Sequence, residues 1–185
     1  LVALNAGVSS LRQAKCELAI VAGVNAMLTP MGAYWYAEKG MTSPTGRCHT
    51  FDDRADGLAR SEGCGVVVLK RANECGNQIH AVIAGVDVAH GGKSASFLAP
   101  NGPSQEKLLR AARRDASMES SQVDYVEAHG TGTPLGDPIE MNALAAVMDE
   151  DRLETQPLVM GGVKANLGHL EAGSGAAGLI KAVMV

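Results

Sequence analysis

Apolar positions gather in short blocks along the chain, separated by polar, glycine-containing stretches. Residues 18–24 form a continuous apolar run that predicts a strand buried on both faces, and the runs at 65–69 and 79–88 predict two more strands. Ser104 is predicted to cap a helix that runs to about residue 116. Beyond it, the pattern predicts a strand, a helix, a strand and a helix at residues 123–128, 137–148, 158–163 and 175–185.

This alternation favours an α/β fold with a mostly parallel sheet covered by helices. In such sheets, functional side chains collect beyond the carboxyl ends of the strands. Two segments have that position, and each carries a histidine in a glycine-containing loop.

The first of these loops, residues 127–140, places His129 directly after a predicted strand. Two glycines allow a tight turn there, and Thr131 and Thr133 offer hydroxyls to a polar ligand. Asp137 is predicted to be the N-cap of the following helix. For an isolated histidine, a backbone contact at the strand end is the better explanation.

The second loop, residues 164–169, brings Lys164, Asn166 and His169 together between apolar elements. Such groups are costly to bury without partners, and a solvated loop with a helix cap is the simpler alternative. Because both loops follow strands, we expect them to share one active site.

Composition and charge limit the classes of protein to which the chain could belong. The 185 residues are 46% hydrophobic with a net charge of −4, which indicates one soluble globular domain or a large piece of one. A dense Lys/Arg run is absent, which disfavours nucleic-acid binding, and no apolar run approaches the ~20 residues of a membrane-spanning helix. The chain starts within an apolar stretch without an initiator Met, so we expect the true N-terminus to be missing.

Two metal-binding hypotheses are disfavoured. The cysteines lack zinc-ligand spacing, and we expect structural thiols in a reducing, cytoplasmic compartment. Residues 51–57 contain three carboxylates without the ligand spacing of a calcium loop. Arg54 and Arg60 among these acids indicate a structural ion-pair network instead.

Residues 173–178 match the dinucleotide pattern G-x-G-x-x-G. The pattern requires a strand immediately before it, whereas here the preceding predicted strand ends near Val163. We therefore disfavour a nucleotide-dependent oxidoreductase and expect small residues that pack a helix against the sheet.

Several motifs together resemble the β-ketoacyl synthases of the thiolase-like superfamily. The resemblance covers almost the whole chain and rests on residues 22–25, 43–48, 51–57, 62–63 and 99–105 and on the two histidine loops. The Pro-Leu-Gly-Asp-Pro-Ile-Glu ending of the first loop and the Asn-Gly-Pro-Ser-Gln segment are more similar to type I polyketide synthases than to fatty acid synthases. The stretches at 60–62 and 89–93 depart from the family pattern and bear on the subfamily.

The fold implied by this resemblance is a thiolase-like layered α-β-α-β-α architecture, incomplete in this chain. Residues 1–78 would end the N-terminal half of a ketosynthase domain, and residues 79–185 would begin the C-terminal half.

The resemblance also implies a catalytic set of one cysteine, two histidines and a supporting lysine. His129 and His169 match the histidines, and Lys164 matches the lysine that would orient His169 and tune its charge. Thr131 and Thr133 match positions that contact a phosphopantetheine arm. The matching acidic positions are expected to be structural, at Asp137 and Glu140.

The nucleophile of the family lies in an Ala-Cys-Ser-Ser pattern, which surrounds none of this chain's cysteines: Cys16, Cys48, Cys64 and Cys75. We expect it four positions before Leu1, so that the 185-residue chain alone is inactive.

The implied activity is an acyltransferase of the 3-oxoacyl synthase type, which condenses an acyl thioester with a malonyl-type extender by decarboxylative Claisen chemistry. No cofactor is expected to bind directly, because the substrate rides on the phosphopantetheine arm of an acyl carrier protein. That carrier, the other synthase domains and a second copy of the chain are the expected partners. A loading decarboxylase and a chain-length-factor-like homologue stay open as alternatives.

Overall fold

The computed structural model describes residues 1–76, 79–94 and 99–185. Within these ranges the helices are α1 (Val2–Arg12), α2 (Met31–Glu38), α3 (Gly102–Ala116), α4 (Gly136–Met148), α5 (Lys164–Leu167) and α6 (Ser174–Met184). The strands are β1 (Leu18–Asn25), β2 (Gly63–Lys70), β3 (Tyr125–Glu127) and β4 (Val159–Gly161). No helix in the described part of the chain is both long and apolar enough to cross a membrane.

The first sheet consists of β1 and β2, which pair antiparallel along their full lengths. Its inner face packs closely on α1 and α6. A Cβ on Gly65 would lie 2.8 Å from the methyl group of Ala176, and one on Gly7 would lie 2.9 Å from the side chain of Val21. The small residues therefore let both helices approach the sheet.

The outer face of this sheet is exposed and apolar; it carries Leu18, Ile20, Val24, Val66 and Val68. The two predicted strands are confirmed, but the prediction that residues 18–24 are buried on both faces is wrong for the described chain. Only alternate residues of β1 face the helices.

The second sheet pairs β3 and β4 in parallel, as strand-helix alternation predicted. Helix α4 buries residues at helical spacing, namely Ala143, Leu144, Val147 and Met148. Its Leu144 and Met148 form a core with Ala128, and α3 packs against α4 and contributes Leu109 to this core. The expectation of a mostly parallel sheet thus holds for the second sheet and fails for the first.

The predicted strand at 79–88 is not formed. Residues 79–94 contain neither helix nor strand, because their backbone does not pair with a strand in the described chain. The segment lies instead against α3, where Val86 N donates to Asp115 at 2.8 Å. The predicted division between residues 78 and 79 stays a prediction, and residue 78 itself lies outside the described residues.

Two predicted helix caps are corrected. Asn101, not Ser104, caps α3, and its side chain accepts from the Ser104 N–H at 3.1 Å. Asp137 lies within the first turn of α4, which begins at Gly136. Its carboxylate serves backbone groups outside the helix, described below.

Candidate active site

The first histidine loop is held by a carboxylate from the helix that follows it. His129 lies two residues beyond the end of β3, and its backbone N–H donates to Glu140 Oε1 at 2.6 Å. The N–H of Gly130 donates to Glu140 Oε2 at 2.8 Å. Burial raises the pKa of Glu140, and these two hydrogen bonds oppose the rise. Glu140 thus fixes the turn that presents His129, in line with the predicted structural role.

Asp137 fixes the next part of the same loop and joins it to a distant segment. Its carboxylate accepts from Gly132 N at 3.0 Å and from Phe51 N at 2.7 Å. Gly132 has φ +75°, and a Cβ there would lie 2.6 Å from the backbone nitrogen of His49. Only glycine fits this close approach without strain.

The two threonines of the loop are engaged with each other and with α4. Their Oγ1 atoms lie 3.0 Å apart, and Thr133 Oγ1 accepts from Gly136 N at 3.2 Å. Thr131 is 9% exposed. Contact of Thr131 and Thr133 with a ligand therefore stays a prediction.

The structure brings the two histidine loops together, as the sequence predicted. The ring centroids of His129 and His169 lie 5.5 Å apart, and the ring planes are nearly perpendicular at 87°. The backbone of His169 is clamped by residues 59–61, since its N–H donates to Ala59 O at 2.6 Å and its carbonyl accepts from Ser61 N at 3.0 Å. Although His129 as a whole residue is more exposed than His169, its ring is desolvated by the surrounding protein atoms.

The hydrogen bonds of His169 define its protonation state. Nδ1 accepts from the backbone N–H of Glu171 at 2.8 Å, and the hydroxyl of Ser174 lies 3.1 Å from the same atom. An Nδ1 atom that accepts a backbone N–H carries no proton, so the neutral ring carries its proton on Nε2. His169 is therefore a hydrogen-bond donor through Nε2.

Lys164 is the buried cation of the site. It is 4% exposed at the start of α5, and its ammonium group forms no hydrogen bond or ion pair within the described residues. Burial lowers the pKa of its ammonium group, against the opposing charges of Glu140, Cys48, Glu127 and Asp137. No hydrogen bond joins the Lys164 ammonium group to His169, and the orientation of His169 by Lys164 stays a prediction.

Both imidazoles are neutral at pH 7. Burial, followed by the charges of Lys164 and His169, lowers the pKa of His129 to about 4. Burial and the charge of Lys164 also lower the pKa of His169, and the Glu171 carboxylate opposes this. Two neutral imidazole rings therefore lie next to each other where the two loops meet.

Cys48 has the environment of a structural thiol. Cys48, buried at 3% exposure, accepts a hydrogen bond from Ala59 N at 3.2 Å, and burial raises the pKa of its thiol. A raised pKa disfavours the reactive thiolate. All four cysteines carry free thiols. The described residues include no cluster of His, Cys, Asp or Glu suited to a metal ion.

Two sequence patterns that resemble ligand-binding motifs make structural contacts instead. The G-x-G-x-x-G segment lies at the start of α6, where a Cβ on Gly175 would come 2.9 Å from the backbone nitrogen of Leu1. In the acidic loop, Arg54 pairs with Asp52 at 2.7 Å as expected. Arg60 pairs outside that loop, with Glu171 at 2.5 Å.

Glu127 and Lys181 are site-supporting residues that the sequence analysis missed. Lys181 Nζ lies 2.8 Å from Glu127 Oε2, while Glu127 Oε1 accepts from Val163 N at 2.5 Å. Because Val163 precedes Lys164 and Glu127 is two residues before His129, this carboxylate joins both loops at their roots. The sequence signal that could have identified Glu127 is a glutamate at the end of an apolar predicted strand.

Two family models match the chain: the N-terminal domain of beta-ketoacyl synthase at residues 1–75 and its C-terminal domain at residues 80–185. Over its whole length the chain is 51% identical to a component of the phenolphthiocerol/phthiocerol polyketide synthase of Mycobacterium tuberculosis, and it covers 10% of that protein. It is 45% identical to polyketide synthase GfsA of Streptomyces halstedii, of which it covers 2%.

Solved structures of similar proteins are ketosynthases. The chain superposes with a TM-score of 0.94 and 36% identity on the ketosynthase from module 6 of the bacillaene synthase of Bacillus subtilis 168. An oxazolomycin ketosynthase domain of Streptomyces albus gives a TM-score of 0.90 at 35% identity. The whole chain is covered in both cases, and it spans 34% and 32% of those two chains.

Proposed function

The chain belongs to the β-ketoacyl synthase family and has its thiolase-like fold, and on that premise we propose that it supplies the two histidine donors of a condensing polyketide ketosynthase. The observation that carries the proposal is the pair of neutral imidazoles with centroids 5.5 Å apart. The chain covers only a small share of the polyketide synthases that it matches, so the activity concerns the complete ketosynthase domain that contains this sequence.

The proposed reaction begins with decarboxylation of a malonyl-type thioester. Cleavage of the bond to the carboxylate releases CO₂ and leaves its electron pair on an enolate, whose oxygen becomes negative. His169 donates to this oxygen from Nε2, and His129 supplies the second N–H. Removal of one preorganised donor of this kind typically raises a barrier by ~3–4 kcal/mol.

The enolate carbon then attacks the carbonyl of the acyl group held as a thioester on the nucleophile. A carbon–carbon bond forms, and the thiolate leaves. We propose that this nucleophile lies four positions before Leu1, at the N-terminus of a helix that α1 continues, where the helix dipole would favour a thiolate. The isolated chain is accordingly expected to form no condensation product.

The proposed substrate carrier is the phosphopantetheine arm of an acyl carrier protein. In this proposal Thr131 and Thr133 lie along its path, and ligand binding would exchange the bond between their hydroxyls for contacts to the arm. The carrier protein, the other synthase domains and a second ketosynthase copy are the proposed partners, and the cytoplasm is the proposed compartment.

The test compares histidine variants of the complete ketosynthase. His129→Ala and His169→Ala are assayed for CO₂ release from a malonyl thioester and for condensation product. We expect each to lower CO₂ release at least about 100-fold. His80→Ala, at an exposed histidine, is the matched control and should retain the parent rate. Near-parental rates in both site variants would show that the histidines are not the donors.

The residue four positions before Leu1 separates condensation from its alternatives. A Cys there completes the proposed condensing set. A Gln would identify a loading decarboxylase, and any other residue would favour a non-condensing partner.

A further inference from the structure

Arg60 and Glu171 form a well-covered ion pair next to His169. Arg60 Nε donates to Glu171 Oε1 at 2.5 Å, and the two side chains are only 13% and 26% exposed. The pair connects a residue of the stretch matched by the N-terminal family model with a residue of the stretch matched by the C-terminal model. Neither side chain has a part in the chemistry proposed above.

The guanidinium of Arg60 is confined by α2 as well. It lies over the ring of Tyr36, with Cζ 5.0 Å from the ring centroid. A Cβ on Gly32 would lie 2.8 Å from Arg60 Nη1, so the helix backbone approaches the guanidinium closely. The side chain is therefore held from two sides, which favours a fixed orientation over a mobile surface charge.

Glu171 has a conformation that its surroundings must maintain. Its φ is +45°, in the left-handed region that a non-glycine residue seldom adopts. In this conformation its backbone N–H donates to His169 Nδ1 at 2.8 Å. Strained residues of this kind persist where neighbouring contacts over-determine them, and the ion pair with Arg60 is such a contact.

Arg60 also lies within the segment that clamps the backbone of His169. Its neighbours Ala59 and Ser61 make the two backbone hydrogen bonds to that histidine. The same short segment thus holds the His169 backbone directly and the His169 ring through Glu171.

We propose that Arg60 and Glu171 are positioning residues that keep the Glu171 N–H on Nδ1 of His169 and thereby keep Nε2–H available as the donor in the active site. This proposal rests on the proposed function, because it concerns the orientation of one of its two donors. In this proposal α2 and residues 59–61, in the stretch matched by the N-terminal family model, orient His169, which lies in the stretch matched by the C-terminal model.

Because charged groups surround His169, loss of Arg60 or Glu171 should change the pH dependence of CO₂ release. The titratable and charged groups that face the ring are Lys164, His129, Glu171 and Arg60. Arg60 lowers the pKa of His169 and Glu171 raises it. Loss of the cation should therefore move the acidic limb of the rate profile to higher pH, and loss of the anion should move it to lower pH.

The experiment uses the complete ketosynthase with Arg60→Met, Glu171→Gln and the double variant. The kcat, KM and pH profile of CO₂ release from a malonyl thioester are measured beside the thermal midpoint. We expect each single variant to lower kcat about 10- to 100-fold, with KM within about twofold of the parent. The double variant should lose no more than the worse single variant, because the pair acts as a unit. Arg54→Met removes an exposed ion pair and should leave kcat and the limb unchanged.

The outcomes separate this inference from the proposed function. If His169→Ala abolishes CO₂ release while both pair variants keep the parental kcat and limb, the pair does not position His169 and the proposed function stands. If kcat falls only in parallel with the thermal midpoint and the limb stays in place, the pair is merely structural and the inference is overturned. Glu171→Gln preserves side-chain size, so it decides the question should Arg60→Met fail to fold. Full activity of His169→Ala overturns the proposed function itself.

Discussion

Replacement of Asp137 by alanine should destabilise the ketosynthase through two backbone groups that the carboxylate now satisfies. Asp137 is 4% exposed and accepts from Gly132 N at 3.0 Å and Phe51 N at 2.7 Å. A buried donor left without a partner costs about 1–3 kcal/mol. The bond to Gly132 is fully buried and that to Phe51 is partly buried, so we expect a total loss of about 2–4 kcal/mol.

Asp137→Asn refines this expectation. The amide keeps one oxygen acceptor in nearly the same place but loses the charge that strengthens both bonds. Its NH₂ group would face a backbone N–H as donor against donor. We expect a loss of about 1–2 kcal/mol, roughly half of that for alanine.

The assay is denaturant unfolding of the complete ketosynthase and its variants under identical conditions, with midpoints compared at matched slopes. Asp149→Ala is the control, because Asp149 is an exposed aspartate at the end of the same helix. It should change the free energy of unfolding by no more than about 0.5 kcal/mol. If Asp137→Ala also stayed within that range, the two backbone donors would not depend on this carboxylate, and the account of the loop would be wrong.

Three further expectations follow from the same loops. Gly132→Ala should lower the free energy of unfolding by more than about 2 kcal/mol and reduce CO₂ release, because its Cβ would lie 2.6 Å from a backbone atom. Gly46 is the control, since it has a similar φ of +67° but open space around it. Gly46→Ala should lower the free energy of unfolding by only about 1 kcal/mol in a parallel experiment. Burial alone would raise the pKa of Glu127, but hydrogen bonds from Lys181 and its neighbours outweigh it and lower that pKa, so the unfolding free energy should fall as the pH drops below the ordinary range of a glutamate. Glu127→Gln should abolish that part of the slope. The lowered pKa of His129, about 4, means that the unfolded chain binds more protons between about pH 6.5 and 4, so stability should decrease as the pH falls through this window. His129→Asn should flatten the curve there, and an unchanged curve would contradict the assignment of a neutral, desolvated ring.

The sequence predicted the elements of the second half well because their signals are local. From residue 123 onward, each apolar block is bounded by glycine, proline or a charge, and each became a strand or helix within a few residues of its expected limits. The two histidine loops could be paired in advance because parallel strands end at the same edge of a sheet.

The features that the sequence analysis predicted wrongly or missed share a different cause, because each depends on a partner far away in the chain. Asp137 has the local pattern of an N-cap, yet its carboxylate bonds Phe51, 86 residues away. Glu171 and Arg60 are 111 residues apart, and neither position alone indicates a contact with a histidine. Residues 79–88 have the composition of a strand, but a strand forms only where another edge accepts its hydrogen bonds.

The contacts between the stretches matched by the two family models have a consequence for the construction of hybrid synthases. Several connections cross from one stretch to the other at the active site, among them Thr50 Oγ1 to Gly130 O at 2.8 Å, Phe51 N to Asp137, and Arg60 to Glu171. A chimera joined between residues 75 and 80 would take these partners from different parents. Such a junction lies in an irregular segment and looks permissive, yet it divides every one of these contacts. Exchange of residues 50–61 together with residues 127–140 and 164–171 would keep both partners of each of these contacts from one parent.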